Sequence, residues 1–233
     1  MNFFNVILYQ PLFNLLIILY NCIPGGDFGI AIIILTLIIR ALLVPLSIKS
    51  IRSQKQLQDI QPKIKEIQEK YKNDKEKQAQ ELLEIYKKEK VNPFGSLFLT
   101  FIQLPILIAL YNVFRNGLNS GELANLYSFV AAPGQINTLF LGIVDLAKPS
   151  ILFAVIAAVC QYLQTKTLLP KTKMPAGAGA DFTKAMQFQM TYLLPFMTFL
   201  VLFKLPSALG LYWIVGGLFS TVQQYLILKT KNK

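Results

Sequence analysis

Arg40 is the side chain with the sharpest chemistry. It stands in an otherwise apolar run, FGIAIIILTLIIRALLVPLS, at positions 28–47. Twelve residues separate it from Phe28, about 18 Å along a helix. Insertion of an Arg at the centre of a membrane helix costs about 2.5–3.5 kcal/mol. A guanidinium does not give up its proton, so it cannot escape that cost by becoming neutral. It must be paired or kept wet. Pairing is unavailable within the apolar runs. Asp27, the eight carboxylates between 49 and 92, Glu122, Asp145 and Asp181 all lie outside them.

Polar side chains and water are the remaining solvent for the charge, the alternative being that Arg40 bonds helix carbonyls and anchors the inner interface. Thr36 is one turn away on the same helix. Gln103 and Asn112 lie in a second run, Gln161 and Gln164 in a third, and Gln187, Gln189 and Thr191 in a fourth. Tyr212, Ser220, Thr221, Gln223 and Gln224 lie in a fifth. All can give or accept hydrogen bonds. Gln103 and Gln161 are the deepest glutamines. Gln187, Gln189, Gln223 and Gln224 lie near helix ends, where an interfacial role serves equally. Tyr212 and Trp213 fit a groove wall and a packing role alike. An unpaired cation in a wet intramembrane cavity suits polar or acidic stretches of a chain that must cross.

No other chemistry competes. There is no nucleophile–base pair, P-loop or metal motif, so the chain reads as a non-enzyme needing no cofactor. It has no histidine and two cysteines, Cys22 and Cys160, at different predicted depths. That excludes a zinc site for lack of ligands and argues against a disulfide.

The elements that must position these residues are apolar helices. The chain has 233 residues, 54% hydrophobic and only 15% charged, against about 25% charge in a soluble domain. Five runs approach the roughly 20 residues that cross a bilayer. They are TM1 at 28–48, TM2 at 95–115, TM3 at 149–167, TM4 at 186–204 and TM5 at 207–228. The expected fold is all-α, a polytopic membrane protein with five transmembrane helices. Residues 1–24 are expected to form an outer interfacial helix. Pro11 favours a helix start there, leaving about 13 residues, roughly 20 Å, too short to span. Gln10, Asn14 and Asn21 share one side. The alternative is a kinked span from residue 3. With no basic n-region, the segment reads as retained rather than cleaved.

Residues 49–92 are polar, with Leu57, Ile60, Ile64, Ile67 and Tyr71 on one helical face. Asn73-Asp74 turns the chain into a second helix, giving a cytoplasmic helical hairpin in which Pro62 kinks or starts a segment. An outer loop occupies 116–147, a cytoplasmic loop 168–185, and a basic cytoplasmic tail 229–233. Twelve Lys/Arg fall in 49–92, four in 166–184 and three in the tail, with none in 21–28 or in 116–147. Positive charge marks the cytoplasmic side. The N-terminus is then outside and the C-terminus inside, with Arg115, Lys148 and Lys204 snorkelling at outer helix ends. The net charge of +11 reads as a preference for anionic lipids rather than direct nucleic-acid recognition.

These residues, taken in order, resemble the YidC/Oxa/Alb membrane protein insertases from about Tyr9 to Lys229. The resemblance is carried by YQPLFNLL at 9–16, the Arg40 run and LQDIQPKIKEIQEKY at 57–71. It continues through ELLEIYKKEKVNPFG at 81–95, IQLPILIALY at 102–111 and LPSALGLYWIVGGLFSTVQQYLI at 205–227. It implies a bacterial inner-membrane insertase and chaperone of the short form, without a large external domain. Its groove opens to cytoplasm and lipid. Arg40 matches the family's groove arginine, and Thr36, Gln103, Tyr212 and Trp213 match positions near the groove. The implied partners are nascent membrane-protein clients, the Sec translocon and the ribosome. The short three-lysine tail argues against strong ribosome docking through it. Gly216-Gly217 stands where more polar residues are common, implying a less hydrophilic wall. A small-anion transporter and an assembly-only chaperone are the competing readings.

Overall fold

A computed structural model describes residues 3–92, 95–116, 125–168 and 188–230. The described chain is almost wholly helical, with one two-stranded antiparallel hairpin. Helix α1 (Gln10–Cys22) is preceded by a π turn at Asn5–Tyr9. Then follow α2 (Phe28–Leu42), α3 (Val44–Asp59), α4 (Gln61–Lys70), α5 (Lys75–Lys88) and α6 (Gly95–Asn116). Strands β1 (Leu139–Phe140) and β2 (Val144–Asp145) precede α7 (Ile151–Leu168). A second π turn at Gln189–Leu193 leads into α8 (Leu194–Leu202), and α9 (Ser207–Thr230) closes the described chain. The expected 168–185 loop and the tail beyond residue 230 lie outside the described residues, apart from the last residue of α7.

The helix expected to begin at Pro11 begins earlier. The π turn and α1 form one helical run, Asn5–Cys22, of 18 residues. Proline lacks an N–H and its ring crowds the carbonyl four residues back. The π turn relieves this by inserting an extra residue. The Gln10 N–H donates to the Asn5 carbonyl, five residues back, just before Pro11. The same device recurs before Pro195, where the Leu194 N–H donates to the Gln189 carbonyl. The polar stripe of α1 is not left to water either. Gln10 Nε2 donates to the Asn125 carbonyl at 3.1 Å and Asn21 Nδ2 to the Ala131 carbonyl at 2.8 Å. Asn14, only 1% exposed, donates to the carbonyls of Gln10 and Asn125 and accepts the Tyr127 N–H at 2.7 Å. Periodicity identifies the stripe, but its partner is a loop more than 100 residues away.

The run expected to be a single span at 28–48 is broken. Helices α2 and α3 meet at Leu43 with a bend of 64°. Pro45 has no N–H for the carbonyl of Ala41, so the ladder of α2 loses that bond just after the Leu43 N–H donates to the Ile39 carbonyl at 3.1 Å. Asp27 caps α2 by accepting the Ile30 N–H at 3.0 Å. Beyond the bend, Pro62 falls in the first turn of α4, and Asp74 caps α5 by accepting the Lys77 N–H. Helices α4 and α5 pair antiparallel. Lys63 meets Glu89 at 2.6 Å and the Tyr71 hydroxyl donates to Glu81 at 3.1 Å. The hydrogen bond from Lys63, with its charge, holds the Glu89 carboxyl below the usual range.

The core joins α1, α2, α6, α7 and α9 through Phe13, Ile17, Phe28, Ile32, Leu110, Phe114, Ala157 and Leu209. Phe28 meets Phe114 edge-on at 6.3 Å. Helix α9 packs on α7 and α2, α7 on α8, and α3 on α6. At the α7–α9 crossing a Cβ on Gly210 would approach Phe153 Cβ to 3.0 Å, so glycine sets that close approach. Outward-facing rows are equally apolar. Examples are Phe101, Leu104 and Ile108 on α6, Leu152, Ile156, Val159 and Leu163 on α7, and Leu218, Val222 and Tyr225 on α9. Such a surface matches a lipid surround. Among the described residues, Asn5–Cys22 and Ser207–Lys229 are long and apolar enough to cross a membrane, and the bent α2–α3 pair makes a third. Shorter apolar helices cover Phe101–Arg115, Ile151–Thr167 and Thr191–Leu202.

Candidate functional site

The bend at Leu43 changes the setting of Arg40. It falls in the last turn of α2, where unpaired carbonyls and the negative end of the helix dipole favour a cation. The side chain reaches into a cavity of about 360 Å³ between α2, α3, α6, α7 and α9. Arg40 Nη1 donates to Gln103 Oε1 at 3.3 Å. Gln103 is oriented from behind, since its Nε2 donates to the Tyr212 hydroxyl at 2.9 Å. Tyr212 is 2% exposed, which fixes that relay. Arg40 Nε is buried without a partner among the described residues.

Glycine makes room for the guanidinium. A Cβ on Gly216 would lie 2.5 Å from Arg40 Nη2 and 2.9 Å from Nε. The charge therefore rests against the bare backbone of α9. Gly217 is less crowded, with its nearest side-chain atoms at 3.8 Å. The wall that looks less hydrophilic in sequence is the one that admits the cation.

A second polar node stands across the cavity. Gln161 Oε1 accepts from Trp213 Nε1 at 2.9 Å and from the Thr198 hydroxyl at 2.7 Å. A third lies where α3 meets α9, where Gln223 Nε2 donates to the Ser47 hydroxyl at 2.6 Å. Gln164, Thr165, Ser220 and Gln224 complete the polar lining, with Leu43, Ile51, Leu99, Leu104 and Leu107 as apolar wall. Among the described residues, no carboxylate lines the cavity. None of the three ion pairs among the described residues involves Arg40.

Of the residues singled out in sequence, Arg40, Gln103, Gln161, Tyr212 and Trp213 converge here. Thr36 does not. It is fully buried and its hydroxyl donates to the Ile32 carbonyl at 2.6 Å on its own helix. A hydroxyl inside a helix readily makes this local bond when packing closes off its outer face. Asn112, Gln189, Thr191 and Thr221 are also absent from the lining. Gln187 lies outside the described residues. Ser47 and Thr165 were not legible as site residues, Ser47 because it stands at the predicted end of a span. Gly216 was legible as a less polar stretch of wall, but not as the place that admits the Arg40 guanidinium.

Residues 18–233 match the model of the 60Kd inner membrane protein family. The chain belongs to that family. A relative from Clostridium tetani, named membrane protein insertase YidC, is 37% identical over 210 residues, 90% of this chain and 86% of its own. A Fusobacterium nucleatum relative of the same name is 32% identical, covering 88% of this chain and 87% of its own. A longer one from Wolinella succinogenes is 35% identical over 95% of this chain but 37% of its own length. With its apolar helices, membership makes this an inner membrane protein of the YidC insertase family.

Proposed function

We propose that the chain is a membrane protein insertase of five spans, with its N-terminus outside and its α4–α5 hairpin in the cytoplasm. The Arg40 cavity receives hydrophilic stretches of a client, and the client's apolar helix passes into lipid. One observation carries this reading: among apolar helices, a guanidinium faces a cavity whose described lining is polar and holds no carboxylate. A charge so placed has spare hydrogen-bonding and electrostatic capacity for an incoming acidic or polar segment. In a medium of low dielectric that attraction is far stronger than in water. Lipid-facing rows on α6, α7 and α9 offer the client's helix an apolar flank. Burial of that helix supplies the free energy. Nascent chains are the partners, with the ribosome and the Sec translocon upstream. Basic residues of the hairpin and tail meet anionic lipids.

The test is insertion of a single-span client with an acidic outer tail into proteoliposomes. Arg40→Ala should lower insertion by about tenfold or more, the equivalent of about 1.4 kcal/mol. Arg40→Lys should retain most of it. Normal insertion of acidic clients by both variants would refute the electrostatic role. Uptake of a small anion, with no client protected, would refute the insertase reading itself.

A further inference from the structure

The β1–β2 hairpin breaks a rule of turn chemistry. Phe140, Leu141, Gly142 and Ile143 form a tight turn, closed by the Ile143 N–H donating to the Phe140 carbonyl at 3.0 Å, within the three-residue loop between the paired Phe140 and Val144. Leu141 has φ of 52° and Gly142 of 71°. Two positive φ values define the type I′ turn, whose first central position favours Asn, Asp or Gly. A leucine there is strained, because its Cβ crowds the following carbonyl. The strain is not repaid by packing, since Leu141 is 62% exposed and Ile143 80%. Only the opposite face of the hairpin packs inward, through Phe140 and Val144.

The hairpin is also held rigidly at the ends of two helices. The Leu141 N–H donates to Asp27 Oδ2 at 2.7 Å, at the start of α2. Phe140 fills the space that a side chain on Gly29 would need. At the base, the Ser207 and Ala208 N–H groups, at the start of α9, donate to the carbonyls of Lys148 and Leu146. Two exposed cations flank that base, Lys204 and Lys148, the latter also paired with Asp145 at 3.1 Å. A strained leucine and an exposed isoleucine at the tip, with lysines at the base, are the arrangement of a segment dipping into lipid below headgroup phosphates. The helix beside the tip, α2, runs from Phe28 straight into apolar sequence.

We infer that the Leu141–Ile143 tip is a lipid anchor, seated in the acyl–headgroup boundary of the leaflet at the N-terminal ends of α2 and α9. The anchor is separate from the cavity around Arg40. It does not depend on which side of the membrane that leaflet faces.

Fluorescence of the full chain in vesicles of phosphatidylcholine and phosphatidylglycerol tests this. Ile143→Trp adds one indole, read as the difference from the parent protein with Trp213. Expected are blue-shifted emission and at least twofold stronger quenching by lipids brominated near the headgroup than by lipids brominated near the chain end. Adding Leu141→Asn, which suits the turn better but repels acyl chains, should at least halve that quenching. Red emission untouched by either lipid would put the tip in water. Blue emission without bromolipid quenching would put it against protein. Either result overturns the proposal, as does unchanged quenching in the Leu141→Asn variant when the helical content of both proteins is the same.

Discussion

Two buried polar clusters in this molecule are solved in opposite ways. At Asn14 every polar atom of the side chain is used. Its Nδ2 donates to the Gln10 and Asn125 carbonyls, and its oxygen accepts the Tyr127 N–H. At Arg40 the account stays open. One guanidinium nitrogen finds Gln103, another finds no partner among the described residues, and the same holds for the buried Gln224 Oε1 elsewhere in the cavity lining. The first cluster is a clamp between a helix and a distant loop. The second has room for something further. Polar residues inside an apolar bundle thus separate by satisfaction rather than by depth.

That contrast is broken most directly by exchanging what each cluster loses. Arg40→Ala should cost client insertion about tenfold or more while leaving thermal stability unchanged or raised, because it removes a partly satisfied charge. A variant that unfolded would make Arg40 a clamp like Asn14. Asn14→Ala should do the reverse. It strands the Tyr127 N–H and removes support from Asn125, which costs about 1–3 kcal/mol of stability. Insertion per folded molecule should be preserved. Thermal melts in detergent beside vesicle insertion assays separate the two.

Gly216→Ala sharpens the comparison from within the cavity. The new methyl displaces the guanidinium without removing its charge. Insertion of acidic clients should fall roughly threefold, or about 0.65 kcal/mol, with little change for neutral clients. Equal loss for both kinds of client would point to a blocked cavity rather than a moved charge.

The smallest effect concerns Asp145, which holds the anchor hairpin from outside the apolar runs. The Thr138 hydroxyl bond at 2.7 Å leads the causes that keep its carboxyl below the ordinary range, with Lys148 and the Ala147 N–H adding to it. A folded-state value below the unfolded value of about 3.9 means the stabilisation is complete above that pH. It is lost as pH falls through the lower, folded-state value. Hydrogen-exchange protection of residues 138–147, taken relative to the pH-dependent intrinsic rate, should stay flat from neutrality to about pH 4 and fall only below it. Asp145→Asn should abolish that acid step.

The sequence reveals Arg40 because a charge without a carboxylate among apolar residues has few physical solutions. Gln103, Gln161, Tyr212 and Trp213 follow from the same reasoning, since a wet cation needs polar neighbours on other helices. Thr36 misleads because residue type and spacing do not tell whether a hydroxyl faces a neighbour or its own backbone. Gly216 reads only as a less polar stretch of wall, because its contribution is the side chain it lacks. The stripe of α1 reads as water-facing because its periodicity records polarity, and the loop at 125–131 that covers it is remote in the chain. Pro62 and Asp74 mark the starts of α4 and α5 because proline and capping carboxylates act locally. Pro45 acts just as locally, yet its break at Leu43 hides inside an apolar run that composition alone makes continuous.

The widened turns before Pro11 and Pro195 have a consequence for how these helices are phased. An added residue rotates everything on its N-terminal side by about 100° relative to a continuous α-helix. Asn5–Tyr9 and Gln189–Leu193 therefore present faces that no single helical wheel through the whole segment assigns. Replacing either proline with alanine would allow that turn to tighten. The upstream side chains would then swing by more than a quarter of a circle while the rest of the bundle stayed in place.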